Sequence, residues 1–315
     1  MRDNLYKARS AIFGHAVGDA LGVPVEFTSR NKRNAVPVTQ MLGYGTYPYP
    51  AGTWSDDTSM TIATLDSLIN GINYDDIMKK FCMWFENAEY TASGVVFDIG
   101  VAVKKSLLNY MIRGILPLEC GQRSEWDNGN GSLMRIIPII LYLAFSHKKE
   151  MIISEKINCI EKVSALTHGH PRSFVGCGIY AFVLFELLNK QDKNSILRGM
   201  KKAKEFYKEH SEYEYYADIF ENDLETLSSD KVCGNGYVVN CLKAALWCVM
   251  VTESYEECVL KAVNLGEDTD TTAAVAGGLA GVLYGYESIP KEWIATLERN
   301  EYIDELCERA VKAWK

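Results

Sequence analysis

Asp268-Thr-Asp-Thr-Thr-Ala-Ala-Val-Ala-Gly-Gly-Leu-Ala-Gly-Val-Leu-Tyr284 is the stretch that decides the fold expected of this chain. Two carboxylates with adjacent hydroxyls come first, and an apolar run suited to a helix follows. The same pattern occurs near the other end of the chain, where Ser55-Asp-Asp-Thr58 precedes an apolar run that ends at Ile69. One capping side chain satisfies a helix start, so two acids at each start exceed what capping requires.

The two acidic clusters allow two interpretations. Acids are favoured in the first turn of any helix, so each cluster alone is typical of a cap. If folding brings the two helix starts together, four carboxylates share one place and repel one another unless a cation lies between them. A hard divalent cation, or a pair of them, is the simplest such partner for oxygen ligands. Spacing in the sequence leaves both interpretations open.

The bulk properties exclude several classes of function. The chain has 315 residues and a net charge of −8, so broad attraction to nucleic acid is not expected. We expect no segment that approaches a membrane span of about 18 apolar residues, and the first residues lack a secretory pattern. The nine cysteines are scattered and include no C-x-x-C pair, which indicates reduced, buried thiols. We therefore expect a cytoplasmic protein that does not bind membranes.

Helical periodicity dominates the chain, and strand signals are weak. Helices are predicted over residues 4–22, 57–70, 75–90, 94–113, 131–147, 151–166, 171–190, 195–209, 235–252, 255–264, 270–285 and 299–314. The long non-helical stretch 28–54 holds several Pro and Gly residues, and loops of that length are usually functional. No repeat or linker divides the chain. We predict an all-α protein in which residues 1–315 form one compact multi-helix domain.

Seven motifs in order give a more specific indication. They are Gly18-Asp-Ala-Leu-Gly-Val-Pro-Val-Glu-Phe27, Pro50-Ala-Gly-Thr-Trp-Ser-Asp-Asp-Thr-Ser-Met60, Phe97-Asp-Ile-Gly100, Gly129-Asn-Gly-Ser-Leu-Met-Arg135, Leu166-Thr-His-Gly-His-Pro171, Gly236-Tyr-Val238 and Gly266-Glu-Asp-Thr-Asp-Thr-Thr272. From about residue 8 to 290 the chain resembles the ADP-ribosylglycohydrolase family, in particular its bacterial dinitrogenase-reductase-activating glycohydrolase branch.

This resemblance implies an all-α fold of the ADP-ribosylglycohydrolase type with two divalent cations, Mg²⁺ or Mn²⁺, in a cleft. The implied metal ligands are Ser55, Asp56, Asp57, Asp268, Asp270 and Thr271. Family members commonly have Thr where this chain has Ser55, and either residue offers a hydroxyl oxygen.

The resemblance also implies two catalytic carboxylates, Asp98 and Glu26. We expect Asp98 to orient or deprotonate the nucleophile, and Glu26 to position water or transfer the proton. Without the resemblance, Glu26 is equally well an ordinary loop acid, and Asp98 a buried capping or salt-bridged residue.

Substrate contacts are expected around Gly129-Asn-Gly-Ser132, which resembles the family's pyrophosphate cradle. By itself an Asn-Gly pair more often marks a plain turn. The residues predicted to bind substrate are Gly129, Asn130, Gly131, Ser132, Met134, His168 and Tyr237. Arg135 suits either a phosphate contact or a structural ion pair, and His170 before Pro171 suggests a structural role.

The function implied is metal-dependent hydrolysis of the glycosidic bond between ADP-ribose and a modified protein side chain, most often arginine. The expected partners are an ADP-ribosylated protein as substrate and ADP-ribose as product, and a monomer is expected. Alternatives are a hydrolase of serine-linked or other O-linked conjugates, and a non-catalytic ADP-ribose-binding or structural relative. An all-α metal phosphohydrolase is disfavoured, because none of the five histidines precedes Asp.

Overall fold

The fold is all-α, as the sequence predicts. The computed structural model describes residues 2–315 and contains no β-strand over that range; three isolated β-bridges join loops. The α-helices are α1 (Arg2–Gly22), α2 (Arg30–Ala35), α3 (Asp56–Leu68), α4 (Tyr74–Asn87), α5 (Val101–Met111), α6 (Ile137–Phe145), α7 (Ile153–Ala165), α8 (Pro171–Asn189), α9 (Lys193–Tyr207), α10 (Ala217–Glu221), α11 (Val238–Met250), α12 (Tyr255–Val263), α13 (Thr269–Tyr284), α14 (Lys291–Thr296) and α15 (Asn300–Ala313). Six short 3-10 helices span Val23–Val25, Pro117–Glu119, His147–Glu150, Tyr213–Tyr216, Ser229–Lys231 and Tyr286–Ser288.

The pair α1 and α13 forms the centre of the molecule, and glycines permit its close approach. A Cβ added to Gly14 would collide with the carbonyl oxygen of Gly277, and one added to Gly18 would collide with the carbonyl oxygen of Ala273. A Cβ on Gly22 would likewise meet the backbone of Asp270. Because these backbones touch, the start of α13 lies beside the end of α1, and this contact positions the acidic residues of both helices.

The helix α8 is apolar enough to cross a membrane by length and composition, with a mean hydropathy of 1.4 over its best window. This differs from the expectation that no segment approaches such a span. The helix is nevertheless a core element, since 78% of that window is buried inside the protein. Nine free cysteines, most of them buried, match the predicted absence of disulfide bonds.

Two helices, α5 and α6, begin more than one helical turn later than the periodicity predicts. Residues 94–100 are irregular because Gly94 and Asp98 have φ angles of 77° and 52°, which no right-handed helix accommodates. The helix predicted over 131–147 begins only at Ile137, since Pro138 near its start lacks an N–H and its ring would clash with an earlier turn. The predicted loop 28–54 contains the short helix α2 and is otherwise irregular.

Candidate active site

The two acidic clusters meet in the folded chain. The hydroxyl of Thr271 donates to a carboxylate oxygen of Asp57 at 3.3 Å. Carboxylate oxygens of Asp19, Asp57 and Asp270 all lie within 4.8 Å of one another, and those of Glu26, Asp268 and Asp270 form a second such group. We call the five aspartates at this place the acidic floor: Asp19, Asp56, Asp57, Asp268 and Asp270.

The two helix starts use their acids differently. Ser55 caps α3, and its hydroxyl accepts a hydrogen bond from the backbone N–H of Asp57. Asp268 occupies the capping position of α13 but makes no side-chain cap bond there. Its carboxylate instead accepts from the side-chain amide of Asn130 at 2.8 Å. Capping therefore accounts for Ser55 and leaves the four carboxylates of the clusters unexplained.

Asp19 holds the first cluster in place from α1. Its carboxylate accepts hydrogen bonds from the backbone N–H groups of Ser55 and Thr58, each at 3.0 Å, and from the Thr58 hydroxyl at 2.6 Å. Sequence analysis did not select this residue. The available signal is an acid within the otherwise apolar helical run 16–21, where an unpartnered charge would be costly.

The acidic floor is buried and electrostatically unfavourable without a cation. Burial raises the pKa of Asp56 and of Asp57 well above the usual value for Asp, and neighbouring carboxylates raise both further. Burial likewise raises the pKa of Asp19 to about 6, although its hydrogen bonds oppose that shift. One carboxylate oxygen each of Asp57 and Asp270 is buried without any hydrogen-bond partner.

These residues fit a hard divalent cation. The donors are carboxylate and hydroxyl oxygens only, which is the ligand set that Mg²⁺, Mn²⁺ and Ca²⁺ prefer. The two unpartnered oxygens of Asp57 and Asp270 are acceptors that no group within residues 2–315 satisfies. Buried groups of this kind are normally satisfied by a partner, and a cation would satisfy both and offset the repulsion.

Glu26 faces the acidic floor from the segment after α1. The hydroxyl of Tyr47 donates to a Glu26 carboxylate oxygen at 2.8 Å, and the rings of Tyr47 and Phe97 pack at a centroid distance of 4.8 Å. Burial, and then the negative charge of Asp98, raises the pKa of Glu26 to about 9. Asp98 and Phe27 beside these residues have positive φ angles of 52° and 58°. Strained backbone of this kind clusters at functional sites.

A cleft of ≈ 470 Å³ opens above the acidic floor. Of the residues selected from the sequence, those that line it are Glu26, Asp56, Asp98, Gly129, Asn130, Gly131, Met134, His168, Asp268 and Thr271. Ser55, Asp57 and Asp270 lie beneath this surface, all three buried.

Ser132 and Tyr237 do not line the cleft. Ser132 is buried behind it, and its hydroxyl accepts a hydrogen bond from Ser164 at 2.8 Å. Tyr237 lies opposite Gly129 in a β-bridge, in which Asn130 N–H donates to the Gly236 carbonyl at 2.9 Å and Val238 N–H donates to the Asn128 carbonyl at 3.0 Å. The turn at 129–132 is thus held by backbone pairing rather than by an adjoining helix start, since α6 begins further on.

Two neighbouring basic residues are structural. Arg135 is fully buried; its guanidinium donates to the carbonyls of Gly131 and Val163 and to the hydroxyl of Thr167, so neither sequence-based alternative applies. His170 caps α8 by accepting from the Arg172 N–H at 3.1 Å, which matches the structural role expected of it.

Comparison with known proteins identifies the family. A family model described as ADP-ribosylglycohydrolase matches residues 1–315. The chain belongs to the ADP-ribosylglycohydrolase family. It is therefore a glycosidic-bond hydrolase by class, and it carries both acidic clusters intact.

Individual relatives agree with this assignment. The chain is 30% identical over 310 residues to the ADP-ribosylarginine hydrolase Tri1 of Serratia proteamaculans, covering 98% of this chain and 79% of that protein. It is 27% identical to the ADP-ribosyl-[dinitrogen reductase] glycohydrolase of Rhodospirillum rubrum, covering 93% and 90% respectively. A solved structure titled "ADP-ribosylglycohydrolase-related protein complex" superimposes with a TM-score of 0.80 at 27% identity, covering all of both chains.

Two further residues of this ADP-ribosylglycohydrolase line the cleft but were not selected as site residues from the sequence. Phe27 and Trp126 line the cleft while their side chains are 69% and 93% exposed. Large exposed aromatic residues beside a cleft are typical of ligand contacts. An aromatic residue in a helical chain is usually part of the core, so composition gives no signal for such exposure.

Proposed function

We propose that this ADP-ribosylglycohydrolase hydrolyses the bond between ADP-ribose and an arginine side chain of a modified protein, with ADP-ribose as product. The observation that carries the proposal is the convergence of two distant acidic clusters, with buried unpartnered oxygens, beneath one cleft. The similarity to relatives named for arginine-linked substrates supports arginine over serine as the acceptor.

We assign two divalent cations, Mg²⁺ or Mn²⁺, to the acidic floor. Ser55, Asp56 and Asp57 would hold them from α3, and Asp268, Asp270 and Thr271 from α13. Bound there, such ions supply Lewis acidity, orientation of ribose hydroxyls and a lowered pKa for a bound water. Asp19 acts through the first cluster, because its hydrogen bonds fix the backbone at Ser55 and Thr58.

The two remaining carboxylates divide the proton transfers. In our assignment Asp98 accepts the proton of the attacking water, while Glu26 gives a proton to the leaving nitrogen. A Glu26 pKa raised to about 9 in the ligand-free protein favours the protonated form that an acid needs. The Tyr47 hydroxyl keeps the carboxyl group of Glu26 aimed at the cleft.

The cleft walls would bind the ADP-ribose part of the substrate. The backbone at Gly129, Asn130 and Gly131 is open to the cleft, and a Cβ added at Gly131 would lie 2.8 Å from the His168 ring. We therefore assign this turn to the pyrophosphate, with His168 and Met134 forming the adjoining wall. Ser132 and Tyr237 support the turn from behind.

The decisive experiment compares arginine-, serine- and nucleotide-linked ADP-ribose as substrates, each with and without EDTA. We expect release of ADP-ribose from the arginine conjugate only, lost with EDTA and restored by excess Mn²⁺ or Mg²⁺. Turnover of the serine conjugate instead would change the acceptor, and turnover that resists exhaustive chelation would remove the cations from the proposal.

The assignment of Asp98 is tested separately by Asp98→Asn. An acid–base role predicts that kcat falls while ADP-ribose affinity stays within about twofold of wild type. A loss confined to affinity would make Asp98 a binding residue.

We also propose a cytoplasmic monomer, which light scattering of the purified enzyme and fractionation of cells would test.

A further inference from the structure

A second pocket lies on the opposite side of the segment that carries Glu26. Glu26 and Phe27 face the catalytic cleft, whereas Pro24, Val25 and Thr28 line this second cavity of ≈ 470 Å³. The charged residues of its lining are Lys32 and Arg33, and no carboxylate belongs to that lining within the described range 2–315. We call it the basic pocket. It is unusual in a chain whose net charge is −8.

Arg33 is the residue that requires explanation. Arg33 is only 5% exposed, and its Nε is buried without a hydrogen-bond partner. A guanidinium stays charged at any physiological pH. Burying such a charge is costly unless it is paired and hydrogen-bonded, so buried arginines normally have anionic partners.

The threonine hydroxyls of the pocket make no hydrogen bond to Arg33. The hydroxyl of Thr28 donates to the carbonyl of Val25 at 2.5 Å, and that of Thr46 donates to the carbonyl of Glu26 at 2.7 Å. Both hydroxyl protons are therefore committed to backbone. The charged donors at this place are the exposed ammonium of Lys32 and the guanidinium of Arg33.

We propose that the basic pocket binds a phosphate group. Two positive charges match the phosphate dianion, and the planar fork of an arginine suits phosphate oxygens better than it suits a single carbonyl. The side chains of Val36 and Leu42 and the ring of Tyr44 on the same lining would contact the organic part of a phosphomonoester.

Occupancy of this pocket would brace the segment behind Glu26. The backbone N–H of Thr46 donates to the Pro24 carbonyl at 2.8 Å, so the two sides of the pocket are already joined next to Glu26. A phosphate bound by Lys32 and Arg33 would fill the space between α2 and this wall. The catalytic cleft and the basic pocket thus share residues 24–28 while holding charges of opposite sign.

The test is calorimetric titration of inorganic phosphate, and in parallel phenyl phosphate, into the wild type and Arg33→Met. The matched control is Arg113→Met, because Arg113 is exposed and its guanidinium donates only to the Asn109 side chain in the last turn of α5. We expect Arg33→Met to weaken the pocket's phosphate affinity about tenfold or more, and Arg113→Met to leave it unchanged. Tighter binding of phenyl phosphate would identify an organic phosphate, and equal affinity would identify the free ion.

Equal phosphate affinity in the wild type and Arg33→Met would overturn the proposal, as would no detectable binding to the wild type. Thermal unfolding in phosphate-free buffer checks the variant itself, and we expect Arg33→Met to be at least as stable as wild type there. Should that variant fail to fold, Lys32→Met at the exposed position is expected to weaken phosphate binding several-fold. A crystal soaked in tungstate would locate the anion beside Arg33 if the proposal holds.

Discussion

The acidic floor and the basic pocket lie on either side of residues 24–28 and present the same physical problem with opposite sign. In the floor, burial raises the carboxylate pKa values, and oxygens of Asp57 and Asp270 have no partner. In the pocket, the buried Nε of Arg33 has no partner. Removal of charge from water costs several kcal/mol per ion unless a counter-ion repays it.

The two regions differ in the number of charged groups that they bring together. The floor gathers five carboxylates from three helices, so a single monovalent group could not balance it. The pocket has two cations from one short helix, which a single dianion matches. We infer that buried charges without a partner predict both the sign and the number of charges of the group that binds there. The predictions below test each side of it.

The largest effect is expected from removing a floor carboxylate. Asp270→Ala, like Asp56→Ala, should lower kcat/KM for the arginine conjugate by about a hundredfold or more, beyond the loss of a single outer-shell partner. The far-UV circular dichroism should remain nearly unchanged. Asp223→Ala on the exposed surface is the matched control and should keep full activity. Retained turnover in both floor variants would refute the assignment of the floor to metal binding.

Removal of one floor charge should stabilise the metal-free protein. Asp57→Asn keeps an acceptor for Thr271 and gains an amide that can donate to neighbouring carboxylates, while it removes like-charge repulsion. We expect a gain of about 1–3 kcal/mol in the free energy of unfolding in EDTA, and loss of the stabilisation that Mn²⁺ gives the wild type. Denaturant titrations with and without Mn²⁺ measure both. A less stable metal-free variant would contradict the account of the floor.

The wall of the cleft should contribute a pH dependence of stability. Burial, and then the positive charge of Arg135, lowers the pKa of His168 from 6.5 to about 3. The unfolded state therefore binds a proton at His168 more readily than the native state does. The free energy of unfolding has its full contribution from His168 above pH 6.5, and this contribution is lost as the pH falls from 6.5 toward the folded pKa. The stability difference between wild type and His168→Gln should narrow by about 1.4 kcal/mol per pH unit in that window.

His147→Gln, at an exposed position, is the control for the loss of an imidazole elsewhere in the chain. Urea titrations at several pH values in the acid range would provide the comparison. A constant difference for His168→Gln across the window would mean that His168 has the same pKa in the native and unfolded states.

The smallest effect is expected from the hydrogen bond that Tyr47 donates to Glu26. Tyr47→Phe removes the hydroxyl that donates to Glu26, so kcat should fall about three- to tenfold while KM stays close to wild type. Tyr49→Phe is the matched control, because the Tyr49 ring packs against the same Phe97 ring. Equal kcat values for both variants would show that the hydroxyl of Tyr47 does not position Glu26.

Local sequence determines much of the helical pattern but places some helix starts wrongly. Core-facing periodicity places α8 and α11 within a few residues of their observed bounds. It fails at 94–100, where Asp98 adopts a left-handed backbone, and before Ile137, where Pro138 limits the helix. A window of apolar periodicity does not register a single φ angle that the surrounding fold imposes.

The sequence by itself determined the all-α fold, the two acidic clusters and the resemblance that indicates the family. Only the tertiary structure decided that the clusters converge, because that depends on the contact of α1 with α13 at Gly14, Gly18 and Gly277. It also decided the role of Asp19 and the burial of Arg33. Periodicity and capping are local properties of neighbouring residues, whereas burial and charge compensation depend on groups that are distant in the chain.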